Sequence, residues 1–141
     1  MIYLLDTDIL TLAHQRKRGL RERIERVTPP DDVALPVSTR VEVLTGRLDM
    51  IRKASTGADL LRAVEWLRQS EEFLAEFDVV PSDDTAAARY DELRANKKLK
   101  KIDNGDLIAA SVALATAATL VTRNTKDFAP IPGLRIENWA D

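Results

Sequence analysis

The stretch MIYLLDTDIL, residues 1–10, decides the fold of the chain. Residues 2–5 form an uninterrupted apolar run, as is typical of a strand buried on both faces of a parallel sheet. Asp6 and Asp8 follow this run directly. A carboxylate at the end of a buried strand is partly desolvated, which is unfavourable unless another group compensates the charge. We therefore expect Asp6 to lie at the edge of the sheet beside a compensating group.

The rest of the chain alternates apolar runs with helical patterns. We predict strands at residues 2–5, 33–37, 77–81 and 118–122, with a short fifth strand near residues 134–138. We predict helices at residues 9–14, 20–27 and 39–53, and three more that begin near residues 58, 84 and 104. This alternation is typical of a parallel sheet with helices on both faces. The expected architecture is an α/β fold of three layers, α/β/α, around a central parallel sheet of four to five strands.

The composition restricts the classes of function. The chain has 141 residues, of which 45% are hydrophobic, enough for one domain with a core. Its net charge of −2 favours neither a nucleic-acid coat nor an acidic tail. The absence of cysteine excludes disulfides, thiol catalysis and zinc sites built on cysteine. The charge-free run at residues 107–121 is shorter than the roughly 20 residues that cross a bilayer, so we expect a cytoplasmic protein without membrane association.

Further acids recur where a strand has just ended or a helix has just begun. They are Glu42, Asp106 and Asp127. In parallel sheets these positions meet at one edge, where functional sites form. Two carboxylates about 4 Å apart repel by about 4 kcal/mol at an effective dielectric constant near 20. The acids therefore either stay apart or share a divalent cation, and oxygen ligands without cysteine suit Mg²⁺ or Mn²⁺ better than Zn²⁺.

Each acid also has an ordinary structural alternative. Asp8, or less readily Asp6, can cap the helix that follows the first strand. Thr39 and Glu42 have the spacing of a capping box. Asp103 can cap the helix that begins near residue 104. No single acid therefore indicates a functional site. The indication comes from the expected position of all these acids at the same edge of the sheet.

Simple interpretations also exist for His14, for Gly46 and for the pair Asn124 and Asp127. His14, the only histidine, is expected at the surface, because it lies at a polar helix end near no serine motif. Gly46 lies four residues after Glu42 and leaves room for a ligand. Asn124 and Asp127 can form a turn after the fourth predicted strand.

Four stretches together resemble PIN-domain ribonucleases, and most closely the VapC-type toxins of bacterial toxin–antitoxin pairs. They are YLLDTDIL at residues 3–10, STRVEVLTG at 38–46, DNGDLIAASVALATAATLVTRNTKDF at 103–128 and IPGLRIENW at 131–139. The resemblance runs from residue 2 to about residue 139, although residues 50–95 carry little signature. It implies one PIN domain over residues 1–141 and a PIN-like arrangement of the three layers.

The resemblance also implies the chemistry of the site, since acids at the sheet edge of that family bind Mg²⁺ or Mn²⁺ and cleave RNA. It implies that Asp6, Glu42 and Asp106 bind the metal and act in catalysis. The fourth acid of the family corresponds to Asn124 or to Asp127, of which only Asp127 can supply a charge and act as the fourth catalytic acid.

Three positions are expected to support these acids. Asp8 stands where the family most often has asparagine, so it adds a charge that acts on the metal directly or from a distance. Thr122, together with Asn124, can donate hydrogen bonds to the acids or to a phosphate.

The resemblance further implies an RNA substrate, a cognate antitoxin and a homodimer. Two basic stretches could steer RNA, at residues 16–23 and 94–101, although such runs are often only solvated faces, especially in the first case. The second run leads directly to Asp103 and Asp106. Its cations are Arg94, Lys97, Lys98, Lys100 and Lys101.

Two alternatives to a ribonuclease remain open at the level of the sequence. The pair Asp6 and Asp8 suggests a haloacid-dehalogenase-like phosphatase, with Asp6 as nucleophile, but Leu10 stands where that motif has threonine or valine. The other alternative is an inert PIN-fold module that binds RNA or a protein. Asn124 and Asp8, which depart from the family pattern, favour this alternative.

Overall fold

The strands of the structure are the apolar runs of the sequence, and the helices lie between them. A computed structural model describes residues 1–17 and 19–141. The strands are β1 (Ile2–Leu5), β2 (Asp32–Pro36), β3 (Asp78–Val80), β4 (Thr119–Val121) and β5 (Arg135–Glu137). The helices are α1 (Thr7–His14), α2 (Leu20–Glu25), α3 (Val37–Arg52), α4 (Gly57–Leu74), α5 (Asp84–Ala95), α6 (Asn104–Thr116) and α7 (Thr125–Phe128). A 3₁₀ turn at Lys97–Leu99 joins α5 to α6.

The five strands form one parallel sheet in the order β3-β2-β1-β4-β5, which confirms the expected sheet. The chain adds β2 and β3 on one side of β1 and then returns to add β4 and β5 on the other side. The direction of winding therefore changes between β1 and β4, and the carboxyl ends of such neighbouring strands form a crevice. Asp6 and Thr122 are the first residues after these two strands.

Consecutive residues of the central strands bury opposite faces of the sheet. Leu4 and Leu120 pack with α5, α6 and α7 on one face, whereas Leu5 and Val121 pack with α1, α2 and α4 on the other. All four side chains are fully buried, and each leucine contributes on the order of 2 kcal/mol through burial. Helices thus cover both faces, which confirms the three-layer α/β/α fold.

The charge-free run of the sequence forms α6 and β4. Helix α6 ends at Thr116, and the next residue, Ala117, has a φ of 53° that turns the backbone into the left-handed region before β4 begins. Among the helices of residues 1–17 and 19–141, none combines the length and apolarity needed to cross a membrane.

The structure decides between the capping alternatives of the first and second acids. Asp6, not Asp8, caps α1, because its Oδ1 accepts a 2.8 Å hydrogen bond from the Thr7 amide. Thr39 and Glu42 form no capping box, since α3 already begins at Val37. The Thr39 hydroxyl is buried and donates to the carbonyl oxygen of Leu5 at 2.9 Å, which ties α3 to the end of β1.

The expectation of a surface histidine is wrong. His14 is half-buried and stacks on Phe73 and Trp66, with ring centroids 4.5 and 5.4 Å apart. Burial and the nearby charges of Arg47 and Arg21 lower the pKa of His14. This ring therefore packs α1 against α4.

Candidate active site

Asp6 lies at the carboxyl end of β1, with only 8% of its surface exposed. Its Oδ1 caps α1, and its Oδ2 accepts a buried 3.0 Å hydrogen bond from the Thr122 hydroxyl. Burial raises the pKa of Asp6 to about 6, the Thr7 amide opposes this rise, and the charges of Asp8 and Glu42 add to it. A carboxylate that keeps a raised pKa despite two hydrogen-bond donors is a group that a cation would stabilise.

Asp106 projects from the first turn of α6, which Asp103 caps as expected. Burial, and then the charges of Asp6, Asp103, Glu42 and Asp127, together raise the pKa of Asp106 to about 7. The charge of Asp6 contributes to the rise at Asp106, because Asp6 has the lower pKa and ionises first. The acids from distant parts of the sequence thus act on one another at one edge of the sheet.

Glu42 is held between α1 and α6. Its Oε2 accepts a 2.6 Å hydrogen bond from the Thr7 hydroxyl. Its Oε1 lies so close to Gly105 that a Cβ atom added there would be only 2.3 Å away. Neither Thr7 nor Gly105 was among the candidate residues, and their only signal in the sequence is their position beside Asp6 and Asp106.

Asn124 and Asp127 both lie at this edge, in α7 or just before it rather than in a simple turn. The Asn124 side-chain amide donates to Asp127 Oδ2 at 2.7 Å, and the Asn124 backbone amide donates to the Thr122 hydroxyl at 3.0 Å. A chain of hydrogen bonds therefore runs from Asn124 through Thr122 to Asp6. Asp8 accepts from the Ile9 amide at 2.7 Å.

The residues fit a divalent cation in the type of donor atom. The acids supply carboxylate oxygens only, which is the donor set that Mg²⁺ and Mn²⁺ prefer. Across residues 1–17 and 19–141, no three acidic or histidine side chains already surround one point as metal ligands would. Asp6 and Glu42 are nevertheless close enough to Asp106 for their charges to raise its pKa, and binding a shared ion would bring these side chains closer together. Their role as ligands stays a prediction.

The cations of the second basic stretch are all exposed and lie before α6. Arg94 donates to the side-chain oxygen of Asn104 at 3.4 Å. In the first stretch, Arg21 pairs with Glu76 and Arg23 with Glu137, while Arg18 lies outside the described residues. The cations of the first stretch therefore fit a structural or merely solvated role better than those of the second stretch, which remain candidates for attracting RNA.

Comparison with known proteins identifies relatives for nearly the whole chain. The PIN domain matches residues 3–134. Ribonuclease VapC2 of Rickettsia felis is 30% identical over 99% of this chain and 98% of its own. VapBC2 from Rickettsia felis, solved with a DNA fragment from its promoter, superposes with a TM-score of 0.82 at 29% identity, covering 99% of both chains.

A toxin–antitoxin complex from Klebsiella pneumoniae gives a TM-score of 0.68 at 26% identity and covers 97% of both chains. The family match thus covers residues 3–134, and the structural matches cover 97% to 99% of the chain. They include the strand ends that bring the acids together, and the chain belongs to the PIN-domain family.

Proposed function

We propose that this chain is a metal-dependent endoribonuclease, formed by one PIN domain over residues 1–141, that acts as the toxin of a toxin–antitoxin pair. The observation that carries the proposal is the effect of Asp6 and Glu42 on Asp106. Acids from three separate parts of the sequence meet at the crevice between β1 and β4, where the charge of Glu42 raises the pKa values of Asp6 and Asp106. Such a cluster of perturbed acids is expected where a cation and a catalytic step need them.

In this proposal, Asp6, Asp106 and Glu42 hold Mg²⁺ or Mn²⁺. The ion would supply Lewis-acid activation of a water molecule and of the phosphodiester. Thr122 fixes the orientation of Asp6 by donating to Oδ2. Thr7 fixes Glu42 by donating to Oε2, so that Oε1 faces the first turn of α6.

The remaining acids act around this centre. Asp127, held by the Asn124 amide, accepts a proton or orients water beside Asp106. The negative charge of Asp8 near Asp6 increases the attraction for a cation. The same hydrogen bond between Asn124 and Asp127 makes the two residues one unit rather than competitors for the fourth position.

The substrate and partners follow from similarity and charge. The relative from Rickettsia felis is named a ribonuclease, and the structure from Klebsiella pneumoniae is a toxin–antitoxin complex. We propose the same substrate class, a cognate antitoxin, a homodimer and a cytoplasmic location for this chain. The exposed cations Arg94, Lys97, Lys98, Lys100 and Lys101 would attract the RNA backbone toward the acids.

The proposal is tested with purified protein and total RNA in the presence of Mn²⁺ or Mg²⁺. Asp6→Asn should reduce cleavage at least about 100-fold, because several kcal/mol of charge stabilisation are lost. Asp91→Asn, at an exposed position of α5, is the matched control and should cleave normally. Full activity of a folded Asp6→Asn protein, or of wild type in EDTA, would contradict the assignment.

The alternatives have distinct outcomes in the same experiments. An inert binding module would show neither cleavage nor Mn²⁺ binding by calorimetry at millimolar concentration. The haloacid-dehalogenase-like phosphatase is excluded, because the chain belongs to the PIN-domain family.

A further inference from the structure

A cavity of about 330 Å³ opens beside the first turn of α6. Its lining residues are Leu93, Arg94, Leu99, Lys100, Ile102 and Leu107. The four apolar side chains belong to or pack against the core, whereas the two cations are exposed. The volume lies at the lower end of the range of roughly 300–1,000 Å³ for small-molecule sites, so the cavity suits one small planar group.

The cavity and the carboxylates lie around the same helical turn. Leu107, in the cavity wall, directly follows Asp106 in α6. Arg94 at the rim donates to the side-chain oxygen of Asn104 at 3.4 Å, and the Tyr90 hydroxyl donates to the same oxygen at 2.5 Å. A ligand that extends from the acids along the protein surface can therefore reach this cavity.

The charges at the rim are available to a ligand. In the described part of the chain, ion pairs within 4.0 Å involve none of the cations at residues 94–101. By contrast, Arg68 on α4 is paired with both Glu65 and Glu72. An unpaired cation beside an apolar cavity attracts a group that carries negative charge next to an apolar surface.

We propose that this cavity binds one nucleobase of the RNA strand, beside the phosphodiester presented to the carboxylates, with Arg94 and Lys100 bound to the adjacent phosphates. The inference rests on the proposed function. A phosphate alone would leave the apolar walls unused, and an aliphatic side chain would leave the cations unused. A nucleotide satisfies both, because proteins bind unstacked bases on apolar or guanidinium surfaces and phosphates on cations.

The test is a titration that needs no cleavage. The amide resonances of the wild-type protein in EDTA are followed by NMR while AMP, GMP, CMP or UMP is added. At least one nucleotide should shift the amides of Leu99 and Ile102 and bind at least about 5-fold more tightly than ribose 5-phosphate. Equal affinities for the nucleotides and ribose 5-phosphate, or shifts confined to other residues, would overturn the proposal.

Variants connect the binding to the rim and the wall. Arg94→Ala and Lys100→Ala should each weaken nucleotide binding about 5-fold, while Lys53→Ala at the end of α3 should leave it unchanged. Ile102→Ala should reduce the preference for nucleotides over ribose 5-phosphate. If Ile102→Ala unfolds, the two exposed variants still decide the question. Cleavage of RNA without nucleotide binding in the cavity refutes this inference alone, whereas absence of cleavage refutes the proposed function.

Discussion

The hydroxyl of Thr7 donates a 2.6 Å hydrogen bond to Oε2 of Glu42, and this bond connects the first turn of α1 to α3. The bond leaves Oε1 directed at the backbone of Gly105. Two residues without charge thus determine where the Glu42 carboxylate lies relative to Asp6 and Asp106.

Thr7→Val should weaken Mn²⁺ binding by about 10-fold, because groups that orient a metal-binding carboxylate typically contribute 10- to 100-fold to metal affinity. Thr7→Ser keeps the hydroxyl and should bind Mn²⁺ nearly as wild type does. Calorimetry of both variants with Mn²⁺ measures the difference. Equal affinities for the two variants would show that the hydrogen bond does not position Glu42 for the ion.

Gly105→Ala should lower cleavage without lowering stability. The added Cβ would overlap the position of Glu42 Oε1, so the flexible Glu42 side chain must move away. Alanine is favoured over glycine in helices by up to about 1 kcal/mol, which offsets a close contact of 3.2 Å between the added Cβ and Oδ2 of the cap Asp103. Thermal unfolding and cleavage rates are compared with those of Gly57→Ala, where nothing lies within 4 Å of the added atom. A parallel loss of activity in both variants would contradict this explanation.

The metal-free protein should lose stability as the pH rises from about 4 to about 7. The folded-state pKa values of Asp6 and Asp106, about 6 and about 7, lie above the ordinary value of 3.8. The folded protein therefore binds more protons than the unfolded one in this range, and the stabilisation that is complete below about pH 4 is lost above about pH 7.

Asp106→Asn removes part of this dependence. At pH 8 in EDTA the variant should be more stable than wild type by on the order of 1 kcal/mol, a figure reduced for solvent screening of a half-exposed group. Urea unfolding at pH 4.5 and pH 8 measures the difference. A variant that is less stable than wild type at pH 8 would show that the acids do not repel in the folded protein.

Addition of Mn²⁺ should reverse the loss of stability at high pH. An ion that binds only the folded state at 100 times its Kd stabilises by about 2.7 kcal/mol. The melting temperature of wild type should rise more at pH 8 than at pH 5, because protons compete for Asp6 and Asp106 at the lower pH. Asp106→Asn should lose most of this rise, whereas Asp91→Asn should retain it; a full rise in Asp106→Asn would exclude Asp106 as a ligand.

Much of the fold could be predicted because the signals are local. The apolar run of β1 and the acid directly after it place Asp6 at the end of a buried strand. Likewise, Asp103 is the cap of α6, and Asp106 follows in the first turn. Hydrophobic periodicity and capping depend on residues within a few positions of each other, so one sequence contains them.

The hydrogen-bond partners of the site residues depend on the tertiary structure and could not be read from the sequence. The order of the strands places β4 beside β1, and only then can the Thr122 hydroxyl reach Asp6. The Thr39 hydroxyl donates to the carbonyl oxygen of Leu5 at the buried end of β1. It therefore does not form the capping box that the spacing of Thr39 and Glu42 suggested. A polar side chain often has several possible hydrogen-bond partners nearby in the sequence, and the partner it takes depends on which groups are buried beside it. Which groups are buried together depends in turn on the crossover connections, which bring together residues far apart in the chain.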